Sequence, residues 1–157
     1  TAADSHYLAD AIDALNRPPR RRGLAVVISD FLTEDVLARH RGGTRPEPAW
    51  ERPLRKLAVR HDVLAIEVVD PRELTLPAVG VLTVVDPETG AVHEVTTDAR
   101  LRDAYAKAAA TQRATIDASL RRAGAGHLRL RTDSDWLFDI VRYVAAQRRG
   151  RSRGTTR

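Results

Sequence analysis

The stretch Leu24-Ala-Val-Val-Ile-Ser-Asp-Phe31 decides the fold class of this chain. Five apolar residues in a row end in the polar pair Ser29-Asp30. A short apolar run that stops at turn residues is typical of a strand covered on both faces, as in a parallel sheet. Ligands of open α/β sheets collect at the carboxyl ends of the strands. The sequence therefore predicts an α/β fold with Asp30 at a candidate ligand-binding edge.

The rest of the chain alternates between helix and strand patterns. A helix between the apolar strands 24–29 and 63–69 makes a right-handed parallel crossover the default connection. Gly90, between two further apolar segments, predicts a β-hairpin. Four predicted helices begin after a capping residue, namely Ser5, Thr33, Thr97 and Asp135, and a fifth begins at Pro53. The long helix that begins after Thr97 is predicted to end at Gly124. The remaining predicted strands are 81–85, 92–95 and 127–131.

Composition limits the class of protein. A chain of 157 residues with 43% apolar and 30% charged residues is typical of one soluble globular domain with a sizeable core. No apolar run is long enough for a membrane span, and the absence of cysteine excludes disulfides and thiolate metal sites. We therefore expect a cytoplasmic domain, and tethering of the full-length protein to a membrane stays open. A chain that begins at Thr1 and has no methionine is expected to be a fragment or a processed product.

The net charge of +5 comes from the arginine-rich end of the chain, residues 148–157, which contains no acidic residue. This segment is predicted to be a flexible tail outside the domain. Together with Arg17–Arg22 it is the candidate contact with nucleic acid. Aromatic residues make up only 4% of the chain and none lies among these arginines, so no stacking platform for bases is evident. Nucleic-acid binding is therefore the less favoured interpretation.

Polar side chains follow each of the three apolar strands that are predicted to be parallel. Oxygen ligands of this kind suit a hard cation such as magnesium or manganese. Aspartate after a strand is also a common cap of a turn or helix, which is the favoured interpretation for Asp70 and Asp133. For Asp30 both interpretations stay open. Asp30 is the candidate metal ligand, and the candidate surface at the strand edge is formed by Ser29, Asp70, Thr132 and Asp133.

Other chemistry-bearing patterns are weak. The five histidines show no metal-binding spacing, and the chain contains neither a GxSxG nucleophile elbow nor a glycine-rich phosphate loop. We expect surface or packing roles for the histidines. Trp50 precedes a predicted helix, where anchoring in the core is favoured over a partner surface. A hydrolase would need a nucleophile and a base that these motifs do not supply.

Five segments in a fixed order resemble a bacterial family, domain-of-unknown-function family number fifty-eight. The similarity extends over nearly the whole chain to about residue 145. The segments are Arg21–Leu32, Pro53–Leu74, Leu76–Gly80, Asp86–Gly90 and His127–Asp133.

The resemblance implies a three-layer, Rossmann-like von Willebrand factor A fold with a mostly parallel sheet and an added β-hairpin near 81–95. In that fold Asp30 takes the position of the acidic residue that a central strand supplies to a metal-ion-dependent adhesion site. The early Asp-x-Ser-x-Ser motif of that site is missing, and no threonine stands near Ser5-His6. Residues 1–147 are therefore expected to be the C-terminal portion of such a domain, with an incomplete site.

Family members commonly have genes beside those of MoxR-type AAA+ ATPases. The resemblance thus implies a non-enzymatic protein-interaction module that works with such an ATPase in protein assembly or maturation. It implies magnesium or manganese in the full-length protein and no ion in this chain. The open alternatives are a metal-dependent hydrolase-like enzyme and binding of nucleic acid through the arginine-rich segments. An unpaired edge of strand 24–29 also predicts self-association.

Overall fold

The computed structural model describes residues 2–17, 21–33, 47–85 and 90–154. A short 3-10 turn, Pro71–Glu73, follows the second strand. The elements are α1 (Ala2–Leu15), β1 (Leu24–Ser29), α2 (Glu51–Ala58), β2 (Asp62–Val69), β3 (Val81–Val85), β4 (Val92–Thr96), α3 (Ala99–Arg122), β5 (Gly126–Arg131) and α4 (Trp136–Gly154).

The main sheet has the order β1-β2-β5, and both pairs of neighbours are parallel. Leu24 lies opposite Asp62, and Leu64 lies opposite Gly126. The predicted parallel α/β arrangement is therefore confirmed. Strands β3 and β4 form a separate antiparallel hairpin, and Gly90 at its turn has a φ of 69°, a conformation that glycine adopts without strain.

One face of the main sheet carries the core. Because side chains alternate along a strand, Val63 and Ala65 of β2 point to this face together with Val27 of β1. Helices α1, α2 and α3 cover it with apolar side chains at helical spacing. The helix residues packed there are Ile12, Leu54, Leu57, Ile116 and Leu120.

Helix α4 lies over the opposite face. Its Tyr143 and Val144 line a groove of about 460 Å³ together with Leu24 and Leu64, which belong to the second set of alternating side chains. This cover is partial within the part of the chain that the structure describes. The exposed fractions of Leu24 and Ile28 are 69% and 64%. Helices therefore occupy both sides of the sheet, but the β1 side of the second face is open.

Two predicted helix caps are wrong. Helix α1 already includes Ser5, so this residue does not begin the helix. Helix α3 is capped by Asp98, whose Oδ1 accepts the N–H of Leu101 at 2.7 Å. The hydroxyl of Thr97 instead donates to the carbonyl of Gly80 at 3.0 Å, because the end of the hairpin strand brings these residues together. The predicted end of the helix at Gly124 is correct, with a φ of 76°.

Some predictions for loops and tails fall outside the described residues. The helix predicted after Thr33 belongs to residues 34–46, and most of the hairpin turn belongs to residues 86–89. Helix α4 continues through Gly154, beyond the predicted boundary at residue 147. The flexibility of residues 148–157 stays a prediction. No helix in the described segments is long and apolar enough to cross a membrane.

Candidate functional site

The carboxyl edge of the main sheet collects the polar residues that the sequence predicts there. Each aspartate at this edge also has a local partner. Oδ1 of Asp30 accepts the N–H of Leu32 at 3.0 Å, and Oδ1 of Asp70 accepts the N–H of Arg72 at 2.8 Å. These contacts are turn caps of the kind that aspartate forms after a strand. The cap predicted for Asp70 is therefore present, and Asp30 has the same local role.

The β5 end of this edge is held by an ion pair rather than by a cap from Asp133. Arg131 donates to both carboxylate oxygens of Asp133, each at 2.8 Å. The hydrogen bond from Arg131 holds the pKa of Asp133 below its ordinary value. Thr132 joins the edge to β2, since its N–H donates to the carbonyl of Val69 at 3.1 Å. Helix α4 is capped by Asp135, which accepts the N–H of Phe138 at 3.0 Å.

The turn that carries Asp30 has an unusual backbone. Phe31 has a φ of 56°, in the left-handed region that non-glycine residues rarely adopt. Its side chain is fully buried and meets Trp50 edge to face, with ring centroids 5.1 Å apart. The hydroxyl oxygen of Ser29 accepts the N–H of Phe31 at 3.0 Å. Such strain costs about 1–3 kcal/mol and persists only where packing enforces it, so the core fixes the position of Asp30.

A buried carboxylate lies beneath this edge, within the core-facing side of β2. Glu67 has no exposed surface and contacts three cationic or ionisable side chains. Its Oε1 accepts from Nη1 of Arg113 at 3.1 Å. Its Oε2 meets Nε2 of His127 at 2.8 Å and Nε of Arg129 at 2.7 Å. We call these four residues the Glu67 cluster. A buried charge of this kind is tolerated because each oxygen has a charged hydrogen-bond partner.

Arg113 connects the Glu67 cluster to the Asp30 turn. Its Nη1 also donates to the backbone carbonyl of Asp30 at 3.2 Å. Its Nη2 donates to Oε2 of Glu73, in the 3-10 turn after β2, at 2.5 Å. One guanidinium on helix α3 thus holds the ends of β1 and β2 and the turn that follows β2. The planar fork of arginine suits this role because it presents several donors in a fixed geometry.

The charges of the Glu67 cluster reinforce one another. Burial raises the pKa of Glu67, but hydrogen bonds from His127 and Arg129 outweigh it and the pKa lies below its ordinary value. The hydrogen bond to Glu67 raises the pKa of His127 against the effect of burial, and Asp117, 3.1 Å from Nδ1, raises it further. Both ring nitrogens of His127 face carboxylate oxygens, and both donate only in the protonated ring.

A cavity of about 550 Å³ opens beside the Glu67 cluster. Its polar lining contains both cationic side chains and a carboxylate. The lining therefore favours neither an anionic nor a cationic ligand. The lining residues are Leu74, Ala110, Arg113, Ala114, Asp117, His127 and Arg129.

We expect the protein to lose stability as the pH rises above about 6.5, the ordinary pKa of histidine. The folded-state pKa of His127 is raised above 6.5, so its stabilising contribution is complete below pH 6.5 and is lost as the pH rises through the folded-state value. Urea unfolding across this range measures the slope. His127→Gln is expected to flatten the slope, whereas His93→Gln, on the exposed strand β4, is expected to leave it unchanged. An equal slope in both variants would contradict this role of His127.

The Glu67 cluster is absent from the predictions made from the sequence. A single charged residue inside the apolar strand 63–69 is the signal that points to a buried carboxylate. A second buried carboxylate, Glu51, was missed as well. Two nitrogens of Arg122 donate to its two oxygens at 3.0 and 2.9 Å, which joins α2 to α3. Burial raises the pKa of Glu51, but hydrogen bonds from Arg122, Ser119 and Arg55 and the charge of Arg122 together outweigh it, so the pKa lies below its ordinary value.

The donor set at the carboxyl edge of the sheet decides whether the described residues can hold a metal ion. No group of three or more histidine, aspartate or glutamate side chains in the described segments is arranged to hold a metal ion. Oδ1 of Asp30 already accepts from Leu32 and lies 3.4 Å from the hydroxyl of Ser29. The described residues therefore do not fit a complete metal site, and Asp30 stays a candidate for one ligand among several.

A family model described as "Protein of unknown function DUF58" matches residues 2–115. The chain belongs to the DUF58 family. This DUF58 chain is 53% identical over 143 residues to an uncharacterized protein of Mycobacterium avium, which covers 91% of the chain and 77% of that relative. Uncharacterized proteins of Mycobacterium tuberculosis strain H37Rv and Mycobacterium bovis are 54% identical over 143 residues.

These two alignments cover 91% of the DUF58 chain and 41% of each relative. The chain therefore spans less than half the length of the M. tuberculosis and M. bovis relatives that it matches. No solved structure matches the chain.

Proposed function

We propose that this DUF58 chain is a protein-interaction module that binds its partner through an apolar stripe on α4. Four side chains form this α4 stripe. Their exposed fractions are 57% for Leu137, 60% for Phe138, 58% for Val141 and 43% for Val144. Exposed apolar side chains that form one continuous patch mark interaction sites in proteins. The α4 stripe is the single observation that carries the proposal.

The spacing of the α4 stripe indicates why it suits another protein. Residues 137, 141 and 144 recur at the interval of one helical face, which normally packs against a core. The adjacent side of α4 faces the sheet, where the hydroxyl of Tyr143 lies close to Gly126 and Val144 borders the groove over the sheet. The α4 stripe thus extends from the edge of this groove onto the exposed side of the helix. A helix with an apolar face of this kind can dock into a groove of a partner protein.

The finer form of the proposal follows the family resemblance. We propose that the chain is part of a von Willebrand factor A-like domain of metal-dependent adhesion type and that its partner is a MoxR-type AAA+ ATPase. Asp30, held by the strained Phe31 backbone and by Arg113, would contribute one oxygen ligand to magnesium or manganese. The remaining ligands would have to come from outside the described residues. The fixed position of the Asp30 turn supports this form of the proposal.

We expect Val141→Asp to weaken binding to a mycobacterial MoxR-type ATPase at least tenfold, because a charge in the α4 stripe opposes burial of the patch. Isothermal titration of purified chain and ATPase measures the affinity. Val85→Asp is the matched control, since the exposed fraction of Val85 on the hairpin is 56% against 58% for Val141. Equal affinities of the two variants would contradict the α4 stripe as the binding surface.

The same titration distinguishes metal-dependent binding through Asp30 from binding through the α4 stripe alone. If a cation takes part, magnesium strengthens binding by the full-length protein, EDTA abolishes the gain, and Asp30→Ala in that protein abolishes it as well. If Asp30→Ala responds to magnesium as the unsubstituted chain does, the metal-dependent form is wrong while the α4 stripe can still be correct. Turnover of a phosphoester or peptide substrate would instead favour the hydrolase interpretation. Salt-sensitive binding that requires residues 148–157 would favour nucleic acid.

A further inference from the structure

His127, on β5, lies between carboxylates of two other elements. Its Nε2 is 2.8 Å from Oε2 of Glu67 on β2, and its Nδ1 is 3.1 Å from Oδ1 of Asp117 on α3. The ring is nearly enclosed, with an exposed side-chain fraction of 14%. The imidazole thus connects β5 to the neighbouring strand and to the helix packed across it. The other charged groups around it are Arg129 on β5 and Arg113 on α3, which donate to Glu67, and Arg121 on α3, which donates to Asp117.

The protonation state of His127 decides how many hydrogen bonds its ring can donate. A protonated ring donates from both nitrogens, whereas a neutral ring carries one N–H and one lone pair. An ionised carboxylate cannot donate, so a ring nitrogen without its proton repels the oxygen that faces it. Loss of a proton from His127 must therefore open either the contact with Glu67 or the contact with Asp117.

The surroundings of the two carboxylates decide which contact opens. Glu67 has no exposed surface, so water cannot replace a hydrogen bond that its carboxylate loses. The side chain of Asp117 is 33% exposed, and its Oδ2 already accepts from Nη2 of Arg121 at 2.5 Å, one helical turn away. Water and Arg121 can therefore take over the oxygen that His127 releases. The contact with Asp117 is the one that opens at lower cost.

We propose that the contact between His127 and Asp117 is a pH-sensitive latch between β5 and α3. The latch is closed while the ring is protonated and donates from both nitrogens. When the ring becomes neutral, Nδ1 loses its proton and Asp117 turns toward Arg121. The proton on Nε2 stays in place, and the hydrogen bond to Glu67 with it.

Opening of the latch changes the cavity beside the Glu67 cluster rather than the fold. Ile116 and Leu120, on the same helix as Asp117, are fully buried, so α3 keeps its place and the change is confined to side chains. His127 and Asp117 both line the cavity of about 550 Å³. The cavity wall therefore gains an open acceptor, Nδ1, when the latch opens. The latch is independent of the proposed function, because neither the α4 stripe nor the carboxylate of Asp30 takes part in it.

Nitrogen-15 NMR of the histidine rings follows the latch directly. The signals of His127 are assigned by their loss in His127→Gln. We expect two protonated ring nitrogens at about pH 5.5 and a neutral ring with its proton on Nε2 at about pH 9. A neutral ring with its proton on Nδ1 would overturn the proposal, and so would a ring that keeps both protons through this range.

Asp117→Asn is expected to lower the midpoint of the His127 titration by about one pH unit, because the protonated ring loses a facing negative charge. Asp103→Asn is the matched control, since it removes the same charge from an exposed position on the same helix. This control is expected to leave the midpoint unchanged. Equal midpoints in the two variants would contradict a specific contact between Asp117 and His127.

Double-mutant cycles identify which of the two contacts opens. Urea unfolding of the single and double variants gives the coupling between two residues. Asp117→Asn and His127→Ala are expected to be coupled at about pH 6 and additive at about pH 9. Glu67→Gln and His127→Ala are expected to be coupled at both pH values, because the Nε2 proton persists. Coupling to Asp117 that is equal at both pH values would overturn the latch, and this cycle remains decisive if Glu67→Gln does not fold.

Discussion

Glu67→Gln is expected to lower the free energy of unfolding by about 3 kcal/mol, since it leaves buried cationic partners without their counter-charge. Arg113 contacts Oε1 of Glu67 and has an exposed side-chain fraction of only 6%, so water cannot replace the lost carboxylate. Arg129 contacts Oε2 and has an exposed side-chain fraction of 42%, so water screens the loss of its counter-charge. Urea unfolding at pH 7, with the slope of the transition as a check on two-state behaviour, measures the difference.

Glu73→Gln is the matched control for this prediction. It removes a carboxylate from the same arginine, but the exposed side-chain fraction of Glu73 is 41%. We expect a loss of about 1 kcal/mol or less, as is usual for partly exposed ion pairs. If both variants lose the same stability, the burial of Glu67 is not what makes it important.

Trp50→Ala is expected to lower the free energy of unfolding by about 3–5 kcal/mol, because it opens a large cavity in the core. Trp50 is fully buried and packs edge to face against Phe31, which itself has no exposed surface. Loss of this packing also removes the constraint that holds Phe31 at positive φ. We therefore expect the Asp30 turn to lose protection from amide hydrogen exchange at Leu32, whose N–H donates to Asp30.

Trp136→Ala tests the same residue type at an exposed position. Trp136 has an exposed fraction of 58%, and its replacement is expected to change stability by no more than about 0.5 kcal/mol. Trp50→Phe is expected to give an intermediate loss because an aromatic ring still meets Phe31. Similar losses for the two alanine variants would mean that Trp50 does not anchor the core.

Residues whose role depends on neighbours in sequence are the ones that sequence analysis predicts well. The apolar run before Ser29 indicates a strand, and the order of strands and helices favours parallel pairing. Gly90 and Gly124 mark positions of positive φ, and Asp70 caps the turn that follows it. The wrong cap, Thr97 for Asp98, is an error of one position between two residue types that both cap helices well.

The Glu67 cluster could not be predicted in the same way. Arg113 lies 46 residues from Glu67 in the sequence, on a helix whose arginines are otherwise typical of a solvated face. His127 is 60 residues from Glu67, and its isolated position favours a surface role in sequence analysis. These residues meet only after β2 and β5 pair in register and α3 packs across them. The strain at Phe31 likewise depends on contact with Trp50.

The sequence by itself determined the class of fold, the parallel main sheet, the hairpin, and the position of Asp30 at the carboxyl edge, since these follow from local periodicity and turn chemistry. Only the tertiary structure decided that Asp30 is fixed from below by Arg113 and that Glu67 is the charged centre of the core. The physical reason is that burial and counter-charge are properties of residues far apart in the chain. They exist only once the sheet and its helices have assembled.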